Sequence, residues 1–325
     1  MNDNSLTFVS DKDKNWDELV MEVFHRQSQE CQIYKEYLKA LKIDVDQITS
    51  IEKIPFLPID FFKNHEIKSR KWASETVFKS SGTTQGVRSC HHVRDLKFYL
   101  THSKILFEEF INVSNIPILA LLPSYLEQGD SSLIAMVDYL IRSSTSFFSG
   151  FYEDTEELKR VMFQHEGENK PYVVFGVTYA LLDFSSVFEK PIKNAIIIET
   201  GGMKGRGKEL TRKELHETLK NNFGIDRVYS EYGMTELMSQ FYSDGDEWFR
   251  PNGFARVYVR DLNDPFVIHD RGSGVLNIID LGNIDTCCFV ATNDVGELDK
   301  DGHFKVLGRL DNSDIRGCNL LYTGS

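Results

Sequence analysis

The hydrophobic positions of the chain have helical spacing near the start, and further along helical segments alternate with short apolar runs. Apolar residues recur at helical spacing in five segments, and this periodicity predicts helices. These segments are residues 15–41, 97–110, 133–141, 155–163 and 211–221. Short apolar runs between them are typical of strands, and they lie at residues 116–122, 146–148, 172–175 and 194–199. Strands that alternate with helices predict an α/β fold with a mostly parallel sheet.

The pattern loses its long helical periods after residue 240. Short strands are predicted instead at residues 255–260, 265–269, 274–280 and 287–291, separated by Gly, Asn and Asp. Asp299-Lys-Asp-Gly302 predicts a hairpin turn between two further strands. We therefore divide the chain into an α/β core (residues 1–240), a smaller β-rich unit (241–310) and a C-terminal tail (311–325).

A loop rich in hydroxyl groups follows one predicted strand, where parallel sheets usually bind ligands. We call residues 79–88 the hydroxyl loop. Ser80, Ser81, Thr83 and Thr84 supply donors around Gly82, and Arg88 supplies a fixed positive charge. The loop lacks the Gly-Lys-Ser/Thr ending of the common phosphate loop, so an ordinary flexible loop is the alternative. The adjacent pair His91-His92 lacks helical metal-site spacing and predicts a packing or surface role.

A second segment, Tyr232-Gly-Met-Thr-Glu236, follows a predicted strand at residues 225–228 and precedes a predicted helix. Gly233 permits a tight turn, Thr235 offers a hydroxyl for a phosphate or a helix cap, and Glu236 offers a hard oxygen ligand for Mg²⁺. An ordinary capped helix after a strand is the alternative. Gly201-Gly202 ends another predicted strand at the same edge of the sheet.

Composition narrows the classes of protein and the compartment. The 325 residues are 41% hydrophobic, which is enough for a core, and no run of eighteen apolar residues predicts a membrane span. A net charge of −12 without a basic patch argues against nucleic-acid binding. The start of the sequence does not resemble a secretory signal, and the five cysteines show no metal spacing. We therefore expect a cytoplasmic protein with reduced thiols.

Three motifs, in order, resemble the adenylate-forming superfamily. They are Ser80-Ser-Gly-Thr-Thr84, Tyr232-Gly-Met-Thr-Glu236, and the pair Asn293-Asp294 with Gly308-Arg-Leu-Asp311. Leu121-Leu-Pro-Ser-Tyr-Leu-Glu127 and the ending Ile315-Arg-Gly-Cys-Asn-Leu320 resemble, more closely, the LuxE-type acyl-protein synthetases. The chain is also similar to phenylacetate-type CoA ligases.

The resemblance implies that a carboxylic acid, fatty or aryl, is activated by ATP and Mg²⁺ as an acyl-adenylate. The hydroxyl loop would hold the β- and γ-phosphates with help from Arg88. Glu236 would bind Mg²⁺, and Thr235 would contact the α-phosphate. Tyr232 would stack on adenine opposite the Gly201-Gly202 segment, with Gly233 also in the nucleotide site. Asp294 would accept hydrogen bonds from both ribose hydroxyls, and Arg309 would reach the ribose or the α-phosphate.

The resemblance also implies that Cys318 receives the acyl group as a thioester. Arg316 beside it would favour the thiolate. An acyl reductase or a carrier protein would then be the partner. Two other functions stay open, a CoA or carrier-protein ligase core that uses an external thiol, and a nucleotide-binding module without catalysis. A spare cysteine in a terminal tail is the alternative for Cys318.

The sequence departs from the superfamily pattern in two places. Gln85 stands where the phosphate loop usually has glycine, so we expect a reshaped loop. The chain ends where the mobile C-terminal domain of the superfamily would begin, so we expect no such domain and no lysine from it. Lys204, Arg206 and Lys208 are candidates for that lysine's role on charge alone. The alternatives are that adenylation is slow or that the chain is a fragment.

Overall fold

The structure is a computed structural model that describes residues 15–81, 87–112, 116–122, 129–188, 190–201, 210–262 and 264–310. The helices in this part are α1 Trp16–Glu30, α2 Gln32–Ala40, α3 Phe61–Asn64, α4 Leu96–Phe110, α5 Ser132–Ser143, α6 Thr155–Gly167, α7 Thr178–Ser185 and α8 Arg212–Phe223. None of the described helices has the length and apolar character that a membrane crossing needs.

Fourteen strands complete the described part of the chain. The first seven are β1 Leu57–Pro58, β2 Thr76–Lys79, β3 Cys90–Val93, β4 Ile118–Leu121, β5 Gly150–Phe151, β6 Tyr172–Val177 and β7 Ala195–Thr200. The others are β8 Tyr229–Tyr232, β9 Phe241–Tyr242, β10 Ala255–Arg260, β11 Ile268–His269, β12 Gly272–Asp280, β13 Phe289–Leu298 and β14 Phe304–Arg309.

A six-stranded sheet in the order β5-β4-β6-β7-β8-β9 forms the centre of the α/β part. Its strands are parallel except β9, which runs antiparallel to β8. All residues of β4 and β6 are buried, because helices cover both faces of the sheet. The carboxyl ends of β6, β7 and β8 therefore meet at one edge, as the sequence predicts.

A second sheet in the order β1-β13-β12-β10-β11, with β14 paired to β13, forms the β-rich part. Its pairs are antiparallel apart from β1 with β13. The hairpin turn at Asp299–Gly302 joins β13 to β14, which confirms the predicted turn. In this hairpin Asp294 lies opposite Arg309. The N-terminal helices pack on this sheet, where Phe24 and Tyr34 contact Phe289.

Helix α8 shows how local sequence fixes an element that carries a functional side chain. Thr211 and Glu214 form a capping box at its start, and Gly224 ends it in a left-handed conformation with φ of 69°. A Cβ at Gly224 would also lie 2.4 Å from the Pro191 side chain. The cap leaves Arg212 at the first helical position, next to the carboxyl end of β7.

Three sequence-based element predictions fail in the α/β part. The strand before the Tyr232 turn is Tyr229–Tyr232, not residues 225–228, and the edge strand is Gly150–Phe151, not residues 146–148. The helix predicted after Glu236 is absent, because β9 follows instead, and Thr235 therefore caps no helix. Asn283 donates to the Glu236 carbonyl, and Asp280 accepts the N–H of Met238. These two backbone groups of the turn therefore hydrogen-bond side chains that are distant in sequence, and not each other as in a helix.

Candidate active site

The base of the hydroxyl loop is closed by hydrogen bonds between its two ends. The N–H of Ser80 donates to Ser89 O at 3.0 Å, and the N–H of Ser89 donates to Ser80 Oγ at 3.0 Å. The Arg88 guanidinium donates to the carbonyls of Ser80 and Lys79, the latter at 3.1 Å. It also pairs with both Asp130 carboxylate oxygens, at 2.9 and 3.1 Å. Arg88 therefore clamps the loop base, and Asp130 already matches its charge.

The far side of this loop base reaches the Tyr232–Glu236 turn. The Ser89 side chain lies beside the carboxylate of Glu236, which is 6% exposed. Burial raises the pKa of Glu236, while Ser89 and the charge of Arg309 oppose the rise and Asp294 adds to it. A single hard carboxylate of this kind suits Mg²⁺, which usually takes one or two protein carboxylates and completes its shell with water and phosphate oxygens.

The backbone of Thr235 is held by a histidine from β3. His91 Nδ1 lies 2.7 Å from Thr235 O, and His91 Nε2 lies 3.3 Å from Thr286 Oγ1. Burial lowers the pKa of His91 to about 4, so the neutral ring donates through Nδ1 and accepts through Nε2. The predicted packing role of this histidine is confirmed, but its contact with the motif was not foreseen.

Tyr232 and Arg309 converge on Asp294 from two strands. The Tyr232 hydroxyl donates to Asp294 Oδ2 at 2.7 Å, and Arg309 Nε lies 3.6 Å from Asp294 Oδ1. The Tyr232 ring packs against three phenylalanines, Phe241, Phe249 and Phe304. Because Tyr232 occupies Oδ2, the oxygen on the Arg309 side is the freer one. Burial raises the pKa of Asp294, and Tyr232 and Arg309 oppose the rise.

Two buried carboxylates lie beside each other at the ends of β7 and β8. Arg212 Nε is 3.0 Å from Glu199 Oε1, and Ser230 and His216 also face that carboxylate. Although burial works the other way, Arg212 and these hydrogen bonds hold the pKa of Glu199 at about 2. Among the residues that the structure describes, the Thr200 hydroxyl is the one hydrogen-bond donor to Glu231.

Glu231 is therefore the carboxyl group of this pair whose pKa rises. Burial raises the pKa of Glu231 to about 7; the Thr200 hydrogen bond opposes the rise and the charge of Glu199 adds to it. The pair is joined to the glycine segment, because the Thr178 hydroxyl contacts both Glu199 Oε2 at 3.1 Å and Gly201 O at 3.3 Å. Gly201 itself has a φ of 73°, which favours glycine.

The contacts join most of the predicted site residues that the structure describes. They connect Ser80 through Ser89 to Glu236, and the charges of Arg309 and Asp294 act on Glu236. Tyr232 completes this group through Asp294, and Gly233 follows it at the turn. Ser81 is exposed at the loop. The predicted residues Gly82, Thr83, Thr84, Gly202 and Cys318, and the cations Lys204, Arg206 and Lys208, lie outside the described residues.

A cleft elsewhere on the parallel sheet contains none of the predicted site residues. Its volume is about 490 Å³, and it lies between the end of α4 and the strands β8 and β9. Phe110, Ile196 and Tyr229 are among the residues that line it. Ile196 and Tyr229 lie at the starts of β7 and β8. The cleft is therefore at the amino ends of these strands, whereas the candidate site is at their carboxyl ends.

Several residues of this site have no sequence signal that would have found them. Ser89, Asp130 and Asn283 are ordinary polar residues in the sequence, and only the fold brings them to the two motifs. Glu231 directly precedes the motif tyrosine, and strand alternation could have placed it on the face opposite Tyr232. That Arg212 pairs with Glu199 and not with Glu231 is decided by the fold, and the sequence does not reveal it.

The sequence matches a known protein family over more than half of its length. Residues 120–323 match the family described as acyl-protein synthetase, LuxE. A segment of 72 residues, 22% of this chain, is 39% identical to a long-chain-fatty-acid–luciferin-component ligase of Photorhabdus luminescens. That segment spans 60% of the ligase, so the match covers less than two thirds of this relative.

Solved structures of ligases share the fold at low sequence identity. A 2-hydroxyisobutyryl-CoA ligase in complex with 2-HIB-AMP aligns with a TM-score of 0.60, 11% identity, and coverage of 91% of this chain and 68% of that one. O-succinylbenzoate coenzyme A synthetase from Bacillus subtilis, in complex with AMP, aligns with a TM-score of 0.51 and 16% identity. The alignment covers 83% of this chain and 68% of that one. The predicted α/β fold of the adenylate-forming enzymes is confirmed. Because the family model covers more than half of the sequence, the chain belongs to the LuxE acyl-protein synthetase family.

Proposed function

We propose that the protein joins a carboxylic acid to a thiol in two ATP-dependent half-reactions, and that the acid is a long-chain fatty acid. The observation that supports this proposal is the cluster of Glu236, Asp294 and Arg309 beside the base of the hydroxyl loop. The family membership and the name of the Photorhabdus ligase support the substrate class.

In the first half-reaction a carboxylate oxygen of the acid attacks the α-phosphorus of ATP. The bond between the α-phosphorus and the bridging oxygen breaks, and pyrophosphate leaves with the electron pair. The hydroxyl loop binds the β- and γ-phosphates through Ser80, Ser81, Gly82, Thr83 and Thr84. Thr235 contacts the α-phosphate. These residues act by position and by charge, because phosphoryl transfer asks for little covalent chemistry from the protein.

The nucleoside is bound by the residues around Asp294. The adenine lies at the edge formed by Tyr232, Gly233 and the Gly201-Gly202 segment. A ribose hydroxyl donates to Asp294 Oδ1, since Oδ2 accepts from Tyr232. Arg309, whose side chain is 63% exposed, is free to turn toward the α-phosphate. Glu236 would hold Mg²⁺, which supplies charge neutralisation on the phosphates.

In the second half-reaction the Cys318 thiolate attacks the acyl carbonyl carbon, and AMP leaves as the carbon–oxygen bond breaks. The thioester then passes to a partner, an acyl reductase or a carrier protein. Arg88 has a smaller part in this proposal than the sequence predicted, because Asp130 already neutralises it.

Exchange of labelled pyrophosphate into ATP tests the first half-reaction. With palmitate, ATP and Mg²⁺ we expect exchange in the unaltered protein and a loss of about 100-fold in Glu236→Ala. Glu217→Ala, an exposed carboxylate on α8, is the matched control and retains exchange. An unaltered protein that supports no exchange with any fatty or aryl acid contradicts the enzymatic function and leaves a nucleotide-binding module.

Labelling of the protein tests the second half-reaction. Radiolabelled palmitate should give a hydroxylamine-sensitive adduct that Cys318→Ser abolishes and Cys90→Ser, the half-buried control, retains. Exchange persists in Cys318→Ser, since the adenylate forms without the thiol. If Cys318→Ser keeps the adduct, the thioester role of Cys318 is wrong. Turnover of this variant with CoA would favour a CoA ligase.

A further inference from the structure

The backbone of Thr235 and Glu236 is fixed by two buried side chains that belong to other parts of the fold. His91, on β3, donates to Thr235 O at 2.7 Å. Asn283, in the turn after β12, donates to Glu236 O at 2.9 Å and accepts the N–H of Met238 at 3.0 Å. Consecutive carbonyl groups are thus held on either side of the Cα from which the Glu236 side chain leaves.

His91 and Asn283 are themselves held in place. Both are 1% exposed. Thr286 joins them, because its hydroxyl contacts His91 Nε2 and its N–H donates to Asn283 O at 2.9 Å. The second amide hydrogen of Asn283 is used by Cys287 O at 3.1 Å. Neither side chain can turn away without losing a buried hydrogen bond.

The same strand that carries His91 leads out of the hydroxyl loop. Ser89 lies near the Glu236 carboxylate and lowers its pKa, and two residues later His91 hydrogen-bonds the Thr235 carbonyl. A shift of β3 would therefore move the loop and the carboxylate together. Asp280 accepts the Met238 N–H as well, so the contribution that Asn283 makes alone is its bond to Glu236 O.

We propose that His91 and Asn283 are positioning residues that set the Glu236 carboxylate against the hydroxyl loop, so that Mg²⁺ strengthens ATP binding. This inference rests on the proposed function. Neither residue touches the nucleotide or the metal. Partners that orient a metal ligand typically change metal affinity by about 10- to 100-fold when they are removed.

Calorimetric titration with ATP, once in EDTA and once in Mg²⁺, separates positioning from general damage. In His91→Leu and Asn283→Leu we expect ATP affinity in EDTA to stay unchanged, because the hydroxyl loop is intact. The gain in affinity that Mg²⁺ brings should fall about 10- to 100-fold. His91→Asn places an amide donor near the position of Nδ1 and should restore most of the gain.

Two buried residues outside the motif serve as matched controls for these substitutions. His165 is buried on α6 and has no hydrogen-bond partner in the described part of the chain, and Asn277 is buried on β12 where it bonds Arg260. His165→Leu and Asn277→Leu should keep the full gain from Mg²⁺. Hydrogen exchange of the free protein gives a second measurement: the amides of residues 234–238 should exchange faster in the two test variants only.

An unchanged Mg²⁺ gain in both test variants overturns the inference, and so does an equal loss in EDTA and in Mg²⁺. If a leucine variant does not fold, His91→Asn is compared with Thr286→Val. Thr286→Val removes the hydrogen bond to the His91 ring and should lower the gain in ATP affinity from Mg²⁺. His91→Asn should keep most of that gain. The reverse order overturns the inference. If the unaltered protein exchanges pyrophosphate and the variants keep the full gain in ATP affinity from Mg²⁺, only the positioning role is contradicted. An unaltered protein that binds no ATP contradicts the proposed function itself.

Discussion

Gly233 is the residue at which one added methyl group would disturb the candidate site most directly. A Cβ there would lie 2.6 Å from Glu231 Oε1 and 3.4 Å from Gln240 Cγ. Glu231 is buried and bonded to Thr200, so it has little room to move. We expect Gly233→Ala to lower the free energy of unfolding by about 1–3 kcal/mol and to weaken ATP binding.

Gly253 provides the control for this substitution. No heavy atom lies within 4 Å of the Cβ position at Gly253. Gly253→Ala should therefore leave urea unfolding and ATP affinity unchanged. Equal unfolding midpoints for Gly233→Ala and the unaltered protein would show that the turn can open without cost, contrary to our expectation.

At the residue scale, Glu231 should make the free energy of unfolding depend on pH. Its ordinary pKa of 4.5 is raised by burial to about 7, so between these values the folded protein holds a proton that the unfolded chain has released. The stabilisation is complete below about pH 4.5 and is lost as the pH rises through about 7, a fall of roughly 3 kcal/mol. Glu199 is not titrated in this window, since its pKa is about 2.

Urea unfolding across this pH range checks the prediction in Glu231→Gln, which resembles the neutral acid. The stability difference between the unaltered protein and Glu231→Gln should fall as the pH rises and should level off above about pH 7. Comparing the two proteins cancels the buried histidines, which titrate with the opposite sign. Glu157→Gln, an exposed substitution on α6, is the control. A difference that does not vary with pH would mean that Glu231 is ionised throughout.

At the scale of the element, the pairing of β13 with its neighbours depends on a glycine. A Cβ at Gly296 would lie 2.3 Å from Lys305 O on β14 and 2.6 Å from the Leu276 side chain on β12. Because backbone and core both obstruct it, Gly296→Ala should destabilise the protein by about 1–3 kcal/mol. It should also displace β14 and therefore Arg309, which lies opposite Asp294.

The same hairpin contains its own control. No heavy atom lies within 4 Å of the Cβ position at Gly308, on β14. Thermal unfolding of Gly308→Ala should match that of the unaltered protein, while Gly296→Ala unfolds several degrees lower. If Gly308→Ala is the less stable of the two, the register between β13 and β14 is not as described.

Elements were predictable wherever one face of a segment decides its burial. Apolar spacing predicts the helices α4, α5 and α6 because each buries one apolar face. It also predicts the strands β6 and β7, whose apolar residues are largely buried. The segment after Glu236 has apolar residues at helical spacing as well, yet it forms no helix. Its backbone groups bond to Asp280 and Asn283, and tertiary contacts override local propensity there.

At the scale of the whole molecule, one hydrophobic cluster, which includes the N-terminal helices and the β-rich sheet, encloses three of the five thiols. Cys31, Cys287 and Cys288 are buried, and burial raises the pKa of each. We expect the double variant Cys90→Ser/Cys318→Ser to show no thiol that reacts with Ellman's reagent in the folded protein, because thiolates are the reactive form. In urea the three remaining cysteines should react. A fast-reacting thiol in the folded double variant contradicts the described packing.

The sequence by itself determined most of the element types, the three motifs and the family resemblance, because periodicity and motif chemistry are local properties of the chain. The tertiary structure decided which partner each motif residue meets. His91 meets Thr235 across 144 residues of sequence and Thr286 across 195, and Arg88 meets Asp130 across 42. Which buried charge finds a counter-ion is fixed only when the strands are packed, and spacing along the chain contains no record of it. That is why Glu231 and Asn283 became visible only in the folded protein.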